Sequence, residues 1–288
     1  MDLARATKWL NEYTGCLLSG DNSSSKEYLS KAVGELSLLL MIIKKSNWAD
    51  EYKILKGLDI LVPQIRENID FIASSKLEKA QILLCLDLAE SKFKEKLPYI
   101  EEIISKKEHV SSNIELAYIV NKCGVDLPSG YWNGQLINLF NRFLNCEESS
   151  YRTILYDLTH IIFFATNFGC NEFPEKTLGL ITSSSEILLE SFKTSIYEKD
   201  WDLAIELIIS LVIIKSDGVS FERLLEMVNS LLQNQRADGA FVSDGDPESK
   251  PELISYKNAY SVFHTTTIAV MLKLLSEKHL TSQITRTQ

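Results

Sequence analysis

Gln235-Arg236-Ala237-Asp238-Gly239-Ala240-Phe241, followed by Tyr260-Ser261-Val262-Phe263-His264-Thr265-Thr266-Thr267, is the stretch whose reading decides the fold. The first segment has the form Q-x-x-x-G-x-F. It follows an amphipathic helical pattern, Ser220 to Asn234, and precedes an apolar helix opened by the second segment. A glutamine at this place can bond backbone groups left free at a helix end, with the aromatic packed over it.

Outward from this stretch the periodicity is helical almost throughout. Apolar residues recur at three- and four-residue spacings, and no sustained alternation points to strands. Ser24-x-x-Glu27 reads as a capping box opening a helix to about Lys44. Trp48 to Ile72 reads as a helix kinked at Pro63, and Leu77 to Phe93 as the next; Pro98 and Pro174 each stand near a helix start. Three apolar helices end in glycine: Ser112 to Gly124, Tyr151 to Gly169 and Trp201 to Gly218. Their glycines stand 45 and 49 residues apart, and the amphipathic helices Trp132 to Leu144, Pro174 to Tyr197 and Ser220 to Asn234 follow them in turn. Two helices per repeat is the pattern of stacked helical hairpins, each burying its apolar face on the next. Such an array either closes into a toroid or stays open as a helical-repeat solenoid.

The two quoted segments resemble the last repeat of the α/α-toroid superfamily, which contains terpenoid cyclases and protein prenyltransferase β-subunits. The resemblance covers about residues 221–275, with Phe241 where the family usually has Trp. It implies an all-α fold, an α/α toroid of about six helical hairpins, as one domain over residues 1–278 with a disordered tail at 279–288. Phe263-His264-Thr265 looks like the family's aromatic-His-Thr element, whose histidine binds zinc in prenyltransferases. The Asp-x-Cys pair that supplies the family's other ligands is absent, as are the D-x-D-D acid and the D-D-x-x-D cluster of cyclases; the nearest string is Asp244-Gly245-Asp246-Pro247. Cyclisation of a prenyl chain and farnesyl transfer are therefore poorly matched.

Aligned on their glycines, the three apolar helices place His160 level with Glu115 and Ile209, and Asp157 level with Ser112 and Glu206. On inner helices these groups would face a shared cavity, where an ionisable side chain is costly unless paired or used. Asp157 and His160 are three apart and share a helix face. One reading makes Asp157 the orienter of His160 as an acid/base; the other makes them a helix-bonded aspartate and a satisfied core histidine. His264 and His160, joined by Asp157 or Glu206, have the ligand types of a zinc site, which needs three or four. The acidic loop Ala237 to Ala259 reads either as a rim over the cavity, with Asp238 contributing, or as a solvated insertion.

Composition sets outer limits. The net charge of −9, with no basic run longer than two residues, excludes a phosphate-backbone footprint, so nucleic acid is not an expected partner. The longest apolar runs, Leu36 to Ile43 and Leu207 to Ile214, fall short of the roughly 20 residues of a membrane span. Five widely spaced cysteines without C-x-x-C suit reduced thiols in a cytoplasmic protein, and Met1-Asp2-Leu3-Ala4-Arg5 has no signal-peptide pattern. The expectation is a small enzyme of specialised metabolism, with catalytic His160, Asp157, His264 and Asp238, acting on a small molecule or peptide by acid–base or metal-assisted chemistry. The alternative is a non-catalytic binding or scaffold protein, as many helical arrays are.

Overall fold

The computed structural model describes residues 1–19, 26–45, 58, 61–73, 75–89, 113–145, 150–173, 175–214, 219–245 and 256–287. These residues form helices and no strand beyond a single bridge between Asp200 and Asp244. In chain order the helices are α1 (Leu3–Ser19), α2 (Lys26–Lys45), α3 (Leu61–Glu67), α4 (Ile69–Ile72), α5 (Lys76–Ala89) and α6 (Ile114–Lys122). They continue as α7 (Tyr131–Leu144), α8 (Tyr151–Ala165), α9 (Glu175–Glu198), α10 (Trp201–Ile214), α11 (Phe221–Leu232) and α12 (Tyr256–Thr287).

Helices α2, α5, α6, α8, α10 and α12 contact one another in sequence, and α12 returns to α2, so their contacts run in a cycle. Other helices pack against these: α1 on α2 and α12, α7 on α8 and α9, α9 on α10, and α11 on α10 and α12. Apolar patterning explains this division. α10 is buried at every position from Leu203 to Ile213, the condition of a helix surrounded by others. α11 buries only Leu224, Val228, Leu231 and Leu232, a stripe at helical spacing that leaves the other face to water. Two side-chain caps fix helix starts: Asn113 accepts from the Leu116 N–H, and Ser220 from the Arg223 N–H.

Several expectations meet a different local outcome. Of the helix read from Trp48 to Ile72, residues 48–57, 59 and 60 lie outside the described residues; the rest is interrupted at Asn68, between α3 and α4, and Pro63 sits in the first turn of α3, where a proline displaces no helical hydrogen bond. α5 is described from Lys76 to Ala89, and residues 90–93 of the expected helix lie outside the described residues. α12 continues to Thr287, through most of the stretch expected to be a disordered tail; no Pro or Gly occurs there to stop it. Ser24, Pro98, Pro174, Gly218 and the loop acids Asp246, Glu248 and Glu252 lie outside the described residues.

The Gln235–Phe241 segment joins the two ends of the chain. Gln235 Oε1 accepts from the Asp2 N–H at 2.6 Å, while its Nε2 donates to the carbonyls of Asp2 at 2.9 Å and Gly239 at 3.0 Å. Phe241 is fully buried, and its N–H donates to Thr266 Oγ1 at 2.9 Å. Gln235 therefore satisfies backbone groups at the start of α1, as its placement implied, and α1 in turn packs on α12.

One glycine is open to improvement. Gly34 lies within α2, and a Cβ there would meet no atom within 4 Å. Gly34→Ala removes the entropic cost of a helical glycine, so we expect a gain of about 0.5–1 kcal/mol in urea denaturation. A loss of stability would mean that the space at Gly34 is needed.

Candidate active site

His264, His160, Glu35, Asp202 and Glu206, from α2, α8, α10 and α12, converge on one place. His264 of α12 lies between two acidic groups. Its Nδ1 is 2.9 Å from Glu35 Oε1 of α2, and its Nε2 is 3.5 Å from both Asp202 Oδ1 and Glu206 Oε1 of α10. His160 of α8 brings its Nε2 to 3.5 Å from the same Glu206 oxygen. The sequence-derived histidines thus share a carboxylate. The approach of Glu35 to Nδ1 lacks good hydrogen-bond geometry, so their attraction is chiefly one of charge.

Hydrogen bonds hold these groups in place. Thr159 donates to Glu206 Oε2, Thr265 Oγ1 donates to Asp202 Oδ1 at 3.0 Å, and Tyr156 Oη donates to Asp202 Oδ2 at 2.6 Å. Tyr260 donates to Glu35 Oε1. Arg152, at the exposed start of α8, donates to Tyr156 Oη at 3.0 Å and grips Asp200 at 2.7 and 3.0 Å, so the network reaches the surface there.

Charge dominates the protonation of the cluster. Burial pushes the Glu206 carboxyl up, but the neighbouring His160 and His264 outweigh it and hold the group down at about 2. Burial would strip His160 of its proton, but Glu206 reverses that and raises it. For His264 too, burial is opposed by Glu35 and Asp202, which raise it well above the ordinary imidazole value. Asp202 moves upward, through burial and the adjacent Glu206 against the pull of His264. Among the described residues, no group of three or more His, Cys, Asp or Glu is arranged to hold a metal ion. His264, for which the resemblance implied a zinc site, and His160, which the sequence offered as its companion, both face Glu206.

The sign of the pH dependence follows. Each histidine binds its proton more tightly in the folded chain. The stabilisation is complete below the ordinary value of 6.5 and is lost as pH rises through the raised folded values. Glu206 acts oppositely: its contribution is present above 4.5 and is lost as pH falls through about 2. We expect the Tm to fall as pH is raised from 6.5 to 9, by about 2–4 °C for each kcal/mol lost, and His264→Gln to flatten that slope. A Tm rising over this interval in the wild type would contradict the assignment.

The other expected residues lie elsewhere. Asp157 does not meet His160; its Oδ2 accepts from Arg142 Nη1 of α7 at 2.6 Å, while His160 faces Glu206 of α10, so the two neighbours of α8 draw them apart. Asp238 is bound by Arg236 at 2.9 Å and accepts from the Ala240 N–H at 3.1 Å, which shapes the turn that presents Gly239. Glu35, Asp202 and Tyr260 are the site residues that sequence reasoning missed. Their signal is the one that found His160: a polar group set in an apolar ring helix.

Beside the cluster lies a cavity of about 230 Å³, lined among others by Glu35, Glu78, Glu115, Tyr260, Gly34 and Lys31. Lys31 is exposed, so the cavity opens beside it. Glu115, at the start of α6, is exposed. His264 thus stands between a cavity carboxylate, Glu35, and the buried pair Asp202 and Glu206.

A family model described as a domain of unknown function (DUF6895) matches residues 112–274, more than half of the chain, which therefore belongs to that family. The match spans α6 to α11 and most of α12, and so includes His160, Asp202, Glu206 and His264. No curated protein and no solved structure matches the chain.

Proposed function

We propose that this member of the DUF6895 family is an α/α-toroid enzyme that performs acid–base chemistry on a small molecule held in its central cavity. The closed cycle of ring-helix contacts supports the toroid over the open solenoid. The observation that carries the chemistry is the placement of His264 between Glu35 and the Asp202–Glu206 pair. Glu35 is the group that meets the bound molecule. His264 orients it and holds a proton beside it, and Asp202 and Glu206 keep that imidazole protonated, the division of labour of a base backed by an orienting group. His160 is the second proton holder on Glu206. A cavity of 230 Å³ is below the usual 300–1,000 Å³ of drug-sized pockets, which favours a compact substrate over a peptide.

Free thiols at Cys16, Cys85, Cys123 and Cys170 suit a reducing, cytoplasmic setting. No helix among the described residues is long and apolar enough to cross a membrane.

The test is substrate discovery with built-in controls. The wild-type chain is incubated with a protein-free small-molecule extract and the changes are followed by mass spectrometry, beside Glu35→Gln and His264→Gln variants that retain the wild-type circular dichroism. Metabolites consumed by the wild type and spared by both variants are the expected result. Identical profiles for all three chains would sink the enzyme reading and leave a binding or scaffold role.

A further inference from the structure

Tyr156 passes a hydrogen bond inward from the surface. Arg152 Nη2 donates to Tyr156 Oη at 3.0 Å, and the guanidinium also lies over the tyrosine ring, 4.9 Å from its centroid. A guanidinium can only donate, so the single O–H of Tyr156 is left for its other neighbour, Asp202 Oδ2 at 2.6 Å. Asp202 Oδ1 lies 3.5 Å from His264 Nε2 and accepts from Thr265 Oγ1 at 3.0 Å, but Thr265 shares its one proton with the Ser261 carbonyl at 2.9 Å. Of these two donors, Tyr156 gives its proton undivided. The backbone under Asp202 is pinned separately. Its N–H donates to the Ser243 carbonyl at 3.1 Å, and Asp200, gripped by Arg152, accepts from the Leu203 N–H at 3.2 Å. What is left for Tyr156 to set is the carboxylate itself, its direction and its charge.

His264 is faced by Glu35 of α2, by Asp202 and Glu206 of α10 and by the Tyr260 ring of its own helix, with His160 of α8 across Glu206 and Tyr13 of α1 against the adjoining Phe263. Glu115 of α6 acts on His160. Glu206 is held ionised by both imidazoles. Asp202 is the poised group: burial raises it, His264 lowers it, Glu206 raises it, and the Tyr156 and Thr265 bonds lower it, with a net upward result.

We infer that Tyr156 is a positioning residue of the site: with Arg152 behind it, its hydroxyl keeps Asp202 an ionised partner at His264 Nε2, so that the imidazole stays charged and presents its Nδ1 side to Glu35. An O–H to carboxylate bond stabilises the ionised form. Without it, Asp202 takes up a proton more readily, and an uncharged Asp202 no longer favours a positive imidazole. The effect therefore has a sign: removing the Tyr156 hydroxyl makes His264 release its proton at lower pH. A purely structural tyrosine would change stability and leave that titration in place. The inference rests on the acid–base reading for the use made of the proton, and on the hydrogen-bond chain for its control.

The test is a titration of His264 in the ligand-free full chain, labelled with nitrogen-15 histidine and followed by NMR from pH 5 to pH 10. The signal is assigned by its loss in His264→Gln. Tyr156→Phe should move the His264 midpoint down by roughly half a unit or more. Thr265→Val, which removes the divided donor, should move it the same way by less. Tyr118→Phe strips a hydroxyl bonded to Asn167 Oδ1 at 2.8 Å, outside the cluster, and should leave it unmoved. In an Asp202→Asn background Tyr156→Phe should add nothing, because the influence runs through that carboxylate. An upward or absent shift in Tyr156→Phe overturns the inference. So does a His264 that stays protonated to pH 10 in both chains, an equal shift in Tyr118→Phe, or an undiminished shift in the Asp202→Asn background. Should Tyr156→Phe not fold, the absence of a downward shift in Thr265→Val overturns it. Metabolites still consumed by a Tyr156→Phe chain whose His264 midpoint is unmoved would overturn the positioning role and leave the acid–base reading intact. A lowered midpoint with no metabolite consumed, even by the wild type, would sink that reading and uphold the control of His264 by Tyr156.

Discussion

Glu206→Ala is expected to cost about 3–5 kcal/mol of folding free energy, the usual penalty for removing one partner of a buried ion pair. The side chain is 1 % exposed, and its two oxygens face His160, His264 and the Thr159 hydroxyl. Its removal leaves two imidazoles in an environment that no longer repays their charge, beside a void. The penalty depends on pH. At pH 6 the variant must either carry uncompensated imidazolium groups or release their protons, whereas at pH 9 neutral imidazoles reduce the difference from wild type. Glu206→Gln keeps the shape and an acceptor for Thr159 but not the charge, so it falls between the two. Urea denaturation at both pH values checks the order. A Glu206→Ala loss below about 1 kcal/mol at pH 6 would falsify the charge-linked cluster.

Gly239→Ala is expected to destabilise the chain by about 3 kcal/mol or more. Gly239 has a φ of +103°, and a Cβ there would lie 2.4 Å from the Arg5 carbonyl oxygen and 2.5 Å from its carbonyl carbon. Strain at such a φ costs about 1–3 kcal/mol for a residue with a side chain. The overlap adds to it, since both obstructing atoms are backbone at the start of α1 and cannot rotate away. Relief requires α1 to lift, which withdraws Leu3, Ala6 and Leu10 from the core. Gln235→Ala breaks the same seam more gently. Three hydrogen bonds at roughly 1 kcal/mol net each suggest a loss of about 1–3 kcal/mol. Both variants should expose α1 to limited proteolysis before the rest of the chain. Cleavage beginning elsewhere, with α1 protected, would show that the seam does not anchor that helix.

The difference between these sites shows what a sequence carries. Gln235, Gly239 and Phe241 form a local pattern whose role is written in their order: an amide to bond a helix end, a residue free to take positive φ, and an aromatic to bury. The pattern did not say which helix end would be bonded, and the partner proved to be Asp2, 233 residues away. Asp157 and His160 gave the reverse lesson. Their spacing implied a pair, yet one turns to Arg142 and the other to Glu206, because sharing a helix face leaves open which neighbour each side chain meets.

The sequence by itself determined that this chain is helical, and that His160 and His264 sit in its apolar helices. Those properties follow from periodicity and burial, which act over a few turns of chain. Tertiary structure alone decided the company the histidines keep. Glu35, Asp202, Glu206 and Tyr260 reach them from α2, α10 and α12, with Glu35 and Tyr260 225 residues apart. The packing of α2, α8, α10 and α12 sets those distances, and the balance of burial against charge across them decides which groups hold a proton.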